Sequence, residues 1–176
     1  GFKAVLFTDI RSVEDVDIAH RIIRPDTPDE QGFMGVKLRR PALSSYDTQA
    51  YLTDLQSVVF CIMLEKAVAV ENLDPILERA RSKGVDMTQW GPADFSFSMG
   101  DPGLQRSPKI RIYEEKVIAK SLEYGIHPRI EIGGVEQAKR YMDLGVRHFC
   151  LGWDRFILRQ QLTQLGTDMR KLTESL

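Results

Sequence analysis

Glu65 and Asp94 are the two side chains in this sequence whose type and spacing let them do chemistry together. Glu65 ends the apolar run that starts at Val58, and Asp94 follows a second such run, Val85 to Trp90, inside Gly91-Pro92-Ala93-Asp94-Phe95-Ser96-Phe97-Ser98-Met99-Gly100. Their separation matches one strand-helix-strand crossover, so on neighbouring parallel strands the two C-terminal ends lie about 5 Å apart. Two carboxylates plus waters suit Mg2+ or Mn2+, with Co2+ a third candidate, and leave positions open for a substrate that chelates through oxygen. The plainer alternative is that Glu65 caps the next helix and Asp94 sits in a solvated turn.

The elements that must position this pair are legible as alternating strands and helices. Lys3 to Thr8 reads as a strand ending at Asp9, and Ser12 with Asp15 starts a helix on which Val13, Val16, Ile18, Ala19 and Ile22 recur at helical spacing. Pro25, Pro28 and Gly32 break that helix. A long connection over residues 25–45, carrying Arg39, Arg40 and Pro41, leads to a helical stretch near Asp47 to Leu55. Val58 to Glu65 is a strand, and Val68 to Arg81 a helix with Val68, Leu73, Ile76, Leu77 and Ala80 on one face, closed by Gly84. Val85 to Trp90 is the third strand, followed by a Gly91 to Pro108 loop and a helix from Ile110 to Tyr124. Strand His127 to Ile132, helix Val135 to Leu144, strand Arg147 to Gly152, and helices Asp154 to Leu165 and Asp168 to Leu172 complete the pattern.

Strands apolar on both faces and joined by amphipathic helices indicate a parallel sheet in an α/β fold. Polar and glycine-rich signals follow several successive strands, at Asp9, Glu65, Gly91 to Ser98, Gly133-Gly134 and Gly152 to Asp154. That distribution favours a (β/α)8 TIM barrel over a doubly wound sheet, which would concentrate them after one strand. Residues 1–176 form a single domain, a partial barrel of five strands, with 166–176 as a candidate swapped or docking tail. A closed barrel of this type has eight strands, and five alone leave two exposed edges, so about three strand-helix units are expected upstream of Gly1.

At 176 residues, 43% apolar and 28% charged, the chain has the composition of an ordinary globular domain. With 24 basic and 25 acidic residues and no long same-sign block, it carries no footprint for nucleic acid or an anionic membrane, so a small-molecule partner is expected. No apolar run approaches the roughly 20 residues of a membrane span. Cys61 and Cys150 both lie in strand-like runs, which suits reduced thiols in a cytoplasmic protein.

Met63-Leu64-Glu65, Ala69-Val70-Glu71-Asn72-Leu73-Asp74, the Gly91-to-Gly100 block and Leu151-Gly152-Trp153-Asp154 resemble, in order and spacing, the corresponding blocks of the HpcH/HpaI family of class II pyruvate aldolases. The resemblance implies a (β/α)8 barrel of which this chain carries strands four to eight. It also implies a divalent-metal-dependent aldolase that forms or cleaves 4-hydroxy-2-oxo acids, giving pyruvate and an aldehyde. Glu65 and Asp94 match the family's metal ligands, and the backbone around Gly91, Pro92, Ala93 and Asp94 matches the part that holds the carboxylate of pyruvate. A metal on the keto acid acidifies its methyl group and stabilises the enolate. A trimer-based homo-oligomer with exchanged C-terminal helices is implied as well.

Departures matter equally. Met63 stands where the family often has a glutamine that contacts substrate or metal-bound water. The family's substrate-gripping arginine and its proton-transfer histidine come from strands upstream of Gly1, so the catalytic base is unknown here. His127 and His148 begin strands and His20 lies within a helix, which suits structural roles. Arg11 and Arg155 each follow a strand, so either could face the site, although a solvated or helix-flanking role is the plainer expectation for each. Gly133-Gly134 fits a tight turn better than a phosphate cradle, and Trp153 either walls the mouth of the site or packs on a neighbouring subunit. Two alternatives stay open: a non-catalytic aldolase-like binding or assembly subunit, and a citrate-lyase-type CoA-ester lyase.

Overall fold

A computed structural model describes residues 2–35 and 47–174. The part of the long connection that holds Arg39, Arg40 and Pro41 lies outside the described residues. Five strands, β1 (Ala4–Phe7), β2 (Val59–Leu64), β3 (Met87–Trp90), β4 (His127–Ile132) and β5 (His148–Leu151), form one all-parallel sheet in the order of the chain. Sequential order is what a barrel wall requires, since a doubly wound sheet reverses direction partway. The sheet is curled and open, half of a barrel.

Helices pack on its convex face. α1 (Val13–Ile23) begins with a reciprocal capping box between Ser12 and Asp15. It buries Val16, Ala19 and Ile23 but leaves Ile18 and Ile22 exposed, so the apolar stripe is narrower than the spacing suggested. α2 (Thr48–Gln56) is capped by Asp47, whose side chain accepts from the Ala50 N–H at 2.9 Å. The expected helix from Val68 to Arg81 is two helices, α3 (Ala67–Glu71) and α4 (Leu73–Ser82), separated at Asn72. Pro75 explains the break: in one continuous helix its ring would meet the Glu71 carbonyl and it has no N–H to give. Val68 is exposed, while Leu73, Ile76, Leu77 and Ala80 are buried as expected.

The Gly91 to Pro108 stretch is not a plain loop. It holds α5 (Pro92–Ser98), with Pro at the first helical position, and a 3-10 turn over Leu104–Arg106. α6 (Ile110–Glu123) ends at Gly125, whose φ of 72° is one that other residues adopt only at a cost. The helix expected after β4 opens as a 3-10 turn, Val135–Gln137, and continues as α7 (Ala138–Asp143). The two expected C-terminal helices are one, α8 (Asp154–Thr173), which runs straight through Gly166, a residue that weakens a helix by only about 1 kcal/mol.

Phe60, Ile62 and Leu64 of β2 point outward with no exposed surface, packed in one cluster with Val16, Ile76, Leu77, Ile118 and Ile130. Burying each such side chain contributes roughly 1.5–3 kcal/mol. The concave face departs from the expectation of strands apolar on both sides. Register sets Met63 beside Gln89, Gln89 beside Arg129 and Arg129 beside His148, a row that is mostly polar. No helix among the described residues is long and apolar enough to cross a membrane.

Candidate metal centre at the strand ends

Glu65 is the first residue beyond β2, and the pairing of Leu64 with Trp90 places it beside Gly91, the residue that opens α5. A β-carbon at position 91 would lie 2.6 Å from Glu65 Oε2 and 2.7 Å from its Cβ, so glycine is required there for the carboxylate to occupy its place. Three residues on, Asp94 stands in the first turn of α5, where the N–H groups of Ala93 and Asp94 have no acceptor within the helix. α5 is held down by Phe95, whose ring lies 4.8 Å from those of both Trp90 and Tyr113. Ser98 Oγ accepts a 2.8 Å bond from the Ala67 N–H, fastening the end of α5 to the start of α3.

Two residues outside the expected site complete the cluster. Asp9, just past β1, has a φ of 62°, unusual for a residue with a side chain. That turn aims its N–H at Glu65 Oε1, 2.9 Å away. The Asp9 carboxylate lies 2.7 Å from Lys66 Nζ, which is also 3.7 Å from Asp94 Oδ1. Lys66 thus spans the carboxylates that follow β1 and β3. Burial raises the Glu65 carboxyl above its ordinary range and the Asp94 charge adds to this, while the Asp9 N–H opposes it. The hydrogen bond from Lys66 lowers Asp9, and the same bond raises Lys66.

These residues fit a divalent ion. Glu65 is 4% exposed, lies within electrostatic reach of Asp94, and shares with it a neighbourhood already occupied by a positive group. Among the described residues no three His, Cys, Asp or Glu side chains converge into a cage. The arrangement is an open pair of carboxylates, with Asp9 drawn aside by Lys66.

The other expected residues fall as follows. Met63 lies one inward-facing layer below Glu65, and Gln89 beside it has no exposed surface. Gln89 Nε2 donates to Glu131 Oε1 at 2.9 Å, and its amide oxygen is buried with no hydrogen-bond partner among the described residues. Trp153 is stacked on Phe156 with ring centroids 5.5 Å apart and lines a groove of about 370 Å³ with Glu131, Gly133 and Ile157. Arg155 lies over both aromatic rings, 4.6 and 4.7 Å from their centroids. Arg11 turns back to Asp9, reaching its carbonyl at 3.2 Å. The Gly133 N–H donates to Gln137 Oε1, a local turn contact. The His127 and His148 rings stand 5.2 Å apart at the entry ends of β4 and β5, and His148 is three strands, about 14 Å, from β2. His20 lies buried on α1, 3.3 Å from Glu30.

No family model matches the chain. Curated relatives include the 4-hydroxy-2-oxo-heptane-1,7-dioate aldolases of Shigella flexneri and Escherichia coli, each 29% identical over 156 residues, or 88% of this chain. A solved HpcH/HpaI aldolase/citrate lyase family protein from Burkholderia cenocepacia superposes with a TM-score of 0.76 at 25% identity over 96% of the chain. This chain is similar to the HpcH/HpaI aldolases. An HpcH/HpaI aldolase from Desulfitobacterium hafniense, at 21% identity and a TM-score of 0.77, shares the fold. The chain spans 57% of the length of the Shigella relative and 65% of the Burkholderia structure.

Proposed function

We propose that this chain is the larger part of a class II, divalent-metal-dependent aldolase that forms or cleaves 4-hydroxy-2-oxo acids to give pyruvate and an aldehyde. Its strands are the fourth to the eighth of a (β/α)8 barrel. The observation that carries the reading is Glu65, buried and seated against Gly91, with Asp94 across the β2–β3 boundary. When bound between these two carboxylates, Mg2+, Mn2+ or Co2+ would supply the Lewis acidity that makes the methyl group of a 2-oxo acid acidic. The N–H groups of Ala93 and Asp94 would orient the substrate carboxylate by donating to it. Gly91 and Pro92 set the direction of that turn, Met63 floors the site, and Trp153 walls the groove beside it. The buried Gln89 amide oxygen supplies an acceptor in the layer of Met63, on the adjacent strand.

The base and the carboxylate-gripping arginine are assigned to the upstream units. The non-catalytic alternative draws on one observation: none of the three histidines reaches the Glu65 end of the sheet. A homo-oligomer, trimer-based, is part of the proposal, with the tail from Gly166 onward exchanged with or docked on another copy. Supporting this, α8 buries none of its residues within the chain and exposes Leu158, Leu162, Leu165 and Met169. Two free cysteines support a cytoplasmic setting.

Mn2+ titration combined with exchange of pyruvate methyl protons into D2O tests the reading. Loss of metal binding in Glu65→Ala and Asp94→Ala is the expected result, with exchange appearing once the units assigned the base are joined to this chain. Binding without exchange even then selects the non-catalytic subunit, and undiminished affinity in both variants refutes the site.

A further inference from the structure

Lys66 is unusual in its position. Its ammonium is 2.7 Å from Asp9 and 3.7 Å from Asp94, and its side chain is only 14% exposed. Lysine heads ordinarily reach for water, with only the stem covered. The cluster therefore already holds one positive charge close to the place where two carboxylates would clasp a metal.

We propose that the Lys66 ammonium is a resident cation of the carboxylate site, which a divalent ion must displace, so that Lys66 sets how weakly this chain binds metal. The inference rests on the metal-site reading of Glu65 and Asp94. Two cations a few ångströms apart near a protein surface repel strongly enough to shift an equilibrium tenfold or more. Lys66 cannot stay at its present distance from Asp94 once a divalent ion sits there. Its flexible stem lets it swing away, whereas an arginine fork, also charged, would compete for the same carboxylates. Displacement also releases Asp9, whose N–H remains on Glu65 but whose carboxylate then lacks its nearest partner. The chain thereby trades metal affinity for an acidic cluster that is neutralised before metal arrives.

Mn2+ affinity of the full chain, read from the resonance of free Mn2+ and from calorimetry, decides the matter. Lys66→Met is expected to tighten Mn2+ binding about tenfold or more, and Lys66→Arg to stay within about threefold of wild type. An unchanged or weakened affinity in Lys66→Met overturns the proposal. If Glu65→Gln still abolishes binding in that case, the site reading survives and only the role of Lys66 falls. If neither wild type nor Lys66→Met binds Mn2+, both fall together. A second measurement needs no variant: acetylation of Lys66 in the wild-type chain, mapped by mass spectrometry, is expected to rise several-fold on saturation with Mn2+. Labelling that stays constant while Mn2+ binds overturns displacement.

Discussion

On the convex face of the sheet Phe60, Ile62 and Leu64 are sealed beneath α1 and α4, whereas on the concave face the same stretch of chain presents Cys61, Met63 and Glu65. The alternation of a strand lets six consecutive residues serve two purposes. Outward side chains hold the helices on. Inward ones line up with Gln89, Arg129, Glu131 and His148 in rows that no apolar core would contain. Apolar packing therefore lies on one face, and the polar side chains, with the candidate site, on the other.

The largest test of that division is Phe60→Ala. Phe60 has no exposed surface and meets Phe7 edge-on at 5.7 Å, so its truncation is expected to cost about 4 kcal/mol in urea unfolding. A loss below about 1 kcal/mol would mean that the convex face is not where the chain is held together.

Glu65→Gln is expected to act in the opposite direction. A carboxyl raised by burial binds its proton more tightly in the folded chain than in the unfolded one. Its contribution is then fully present below the unfolded value of 4.5 and is lost as pH rises through the folded value. At pH 7, with chelator present, ionised Glu65 costs stability, and Glu65→Gln should raise Tm. The gain should vanish below pH 4.5, where the wild-type carboxyl is itself neutral. A lower Tm at pH 7 would show that the Asp9 N–H more than compensates for burial.

What the sequence displayed and what it concealed follow the same division. Helix starts and stops were legible because they depend on neighbours: Ser12 with Asp15, Asp47, Gly84 and Gly125. Pro75 was an equally local signal, and reading it as a break would have separated α3 from α4. The Gly-Pro-Ala-Asp run looks like a loop by composition, yet Pro at the first helical position and Asp two residues later are a helix start. His127 to Ile132 alternates polar with apolar, a period that already reveals a polar inner face. Asp9 was legible as a polar strand end, but its pairing with Lys66 was beyond reach. Their meeting depends on a left-handed backbone turn and on a long side chain crossing between strand ends, neither of which leaves a periodic trace.

The smallest expected effect compares two thiols that share the concave face. Cys61, on β2, is 5% exposed, and burial pushes its thiol up to about 12. At pH 8 such a group is thiolate in about one molecule in ten thousand, and only the thiolate attacks an alkylating reagent. Cys150, on β5, is half-buried, with its Sγ 3.9 Å from the Gly152 carbonyl. Iodoacetamide at pH 8 should therefore modify Cys150 first and reach Cys61 only as urea unfolds the sheet, with kinetics that follow the loss of β structure. Modification of Cys150 in the native chain should not alter Mn2+ affinity, since that thiol lies on β5, away from the Glu65–Asp94 pair. Equal labelling of the two cysteines in the native chain would mean that solvent reaches the concave face at β2 as freely as at β5. The depth that raises Glu65 would then be absent as well, and the contrast between the two faces would reduce to one of residue type alone.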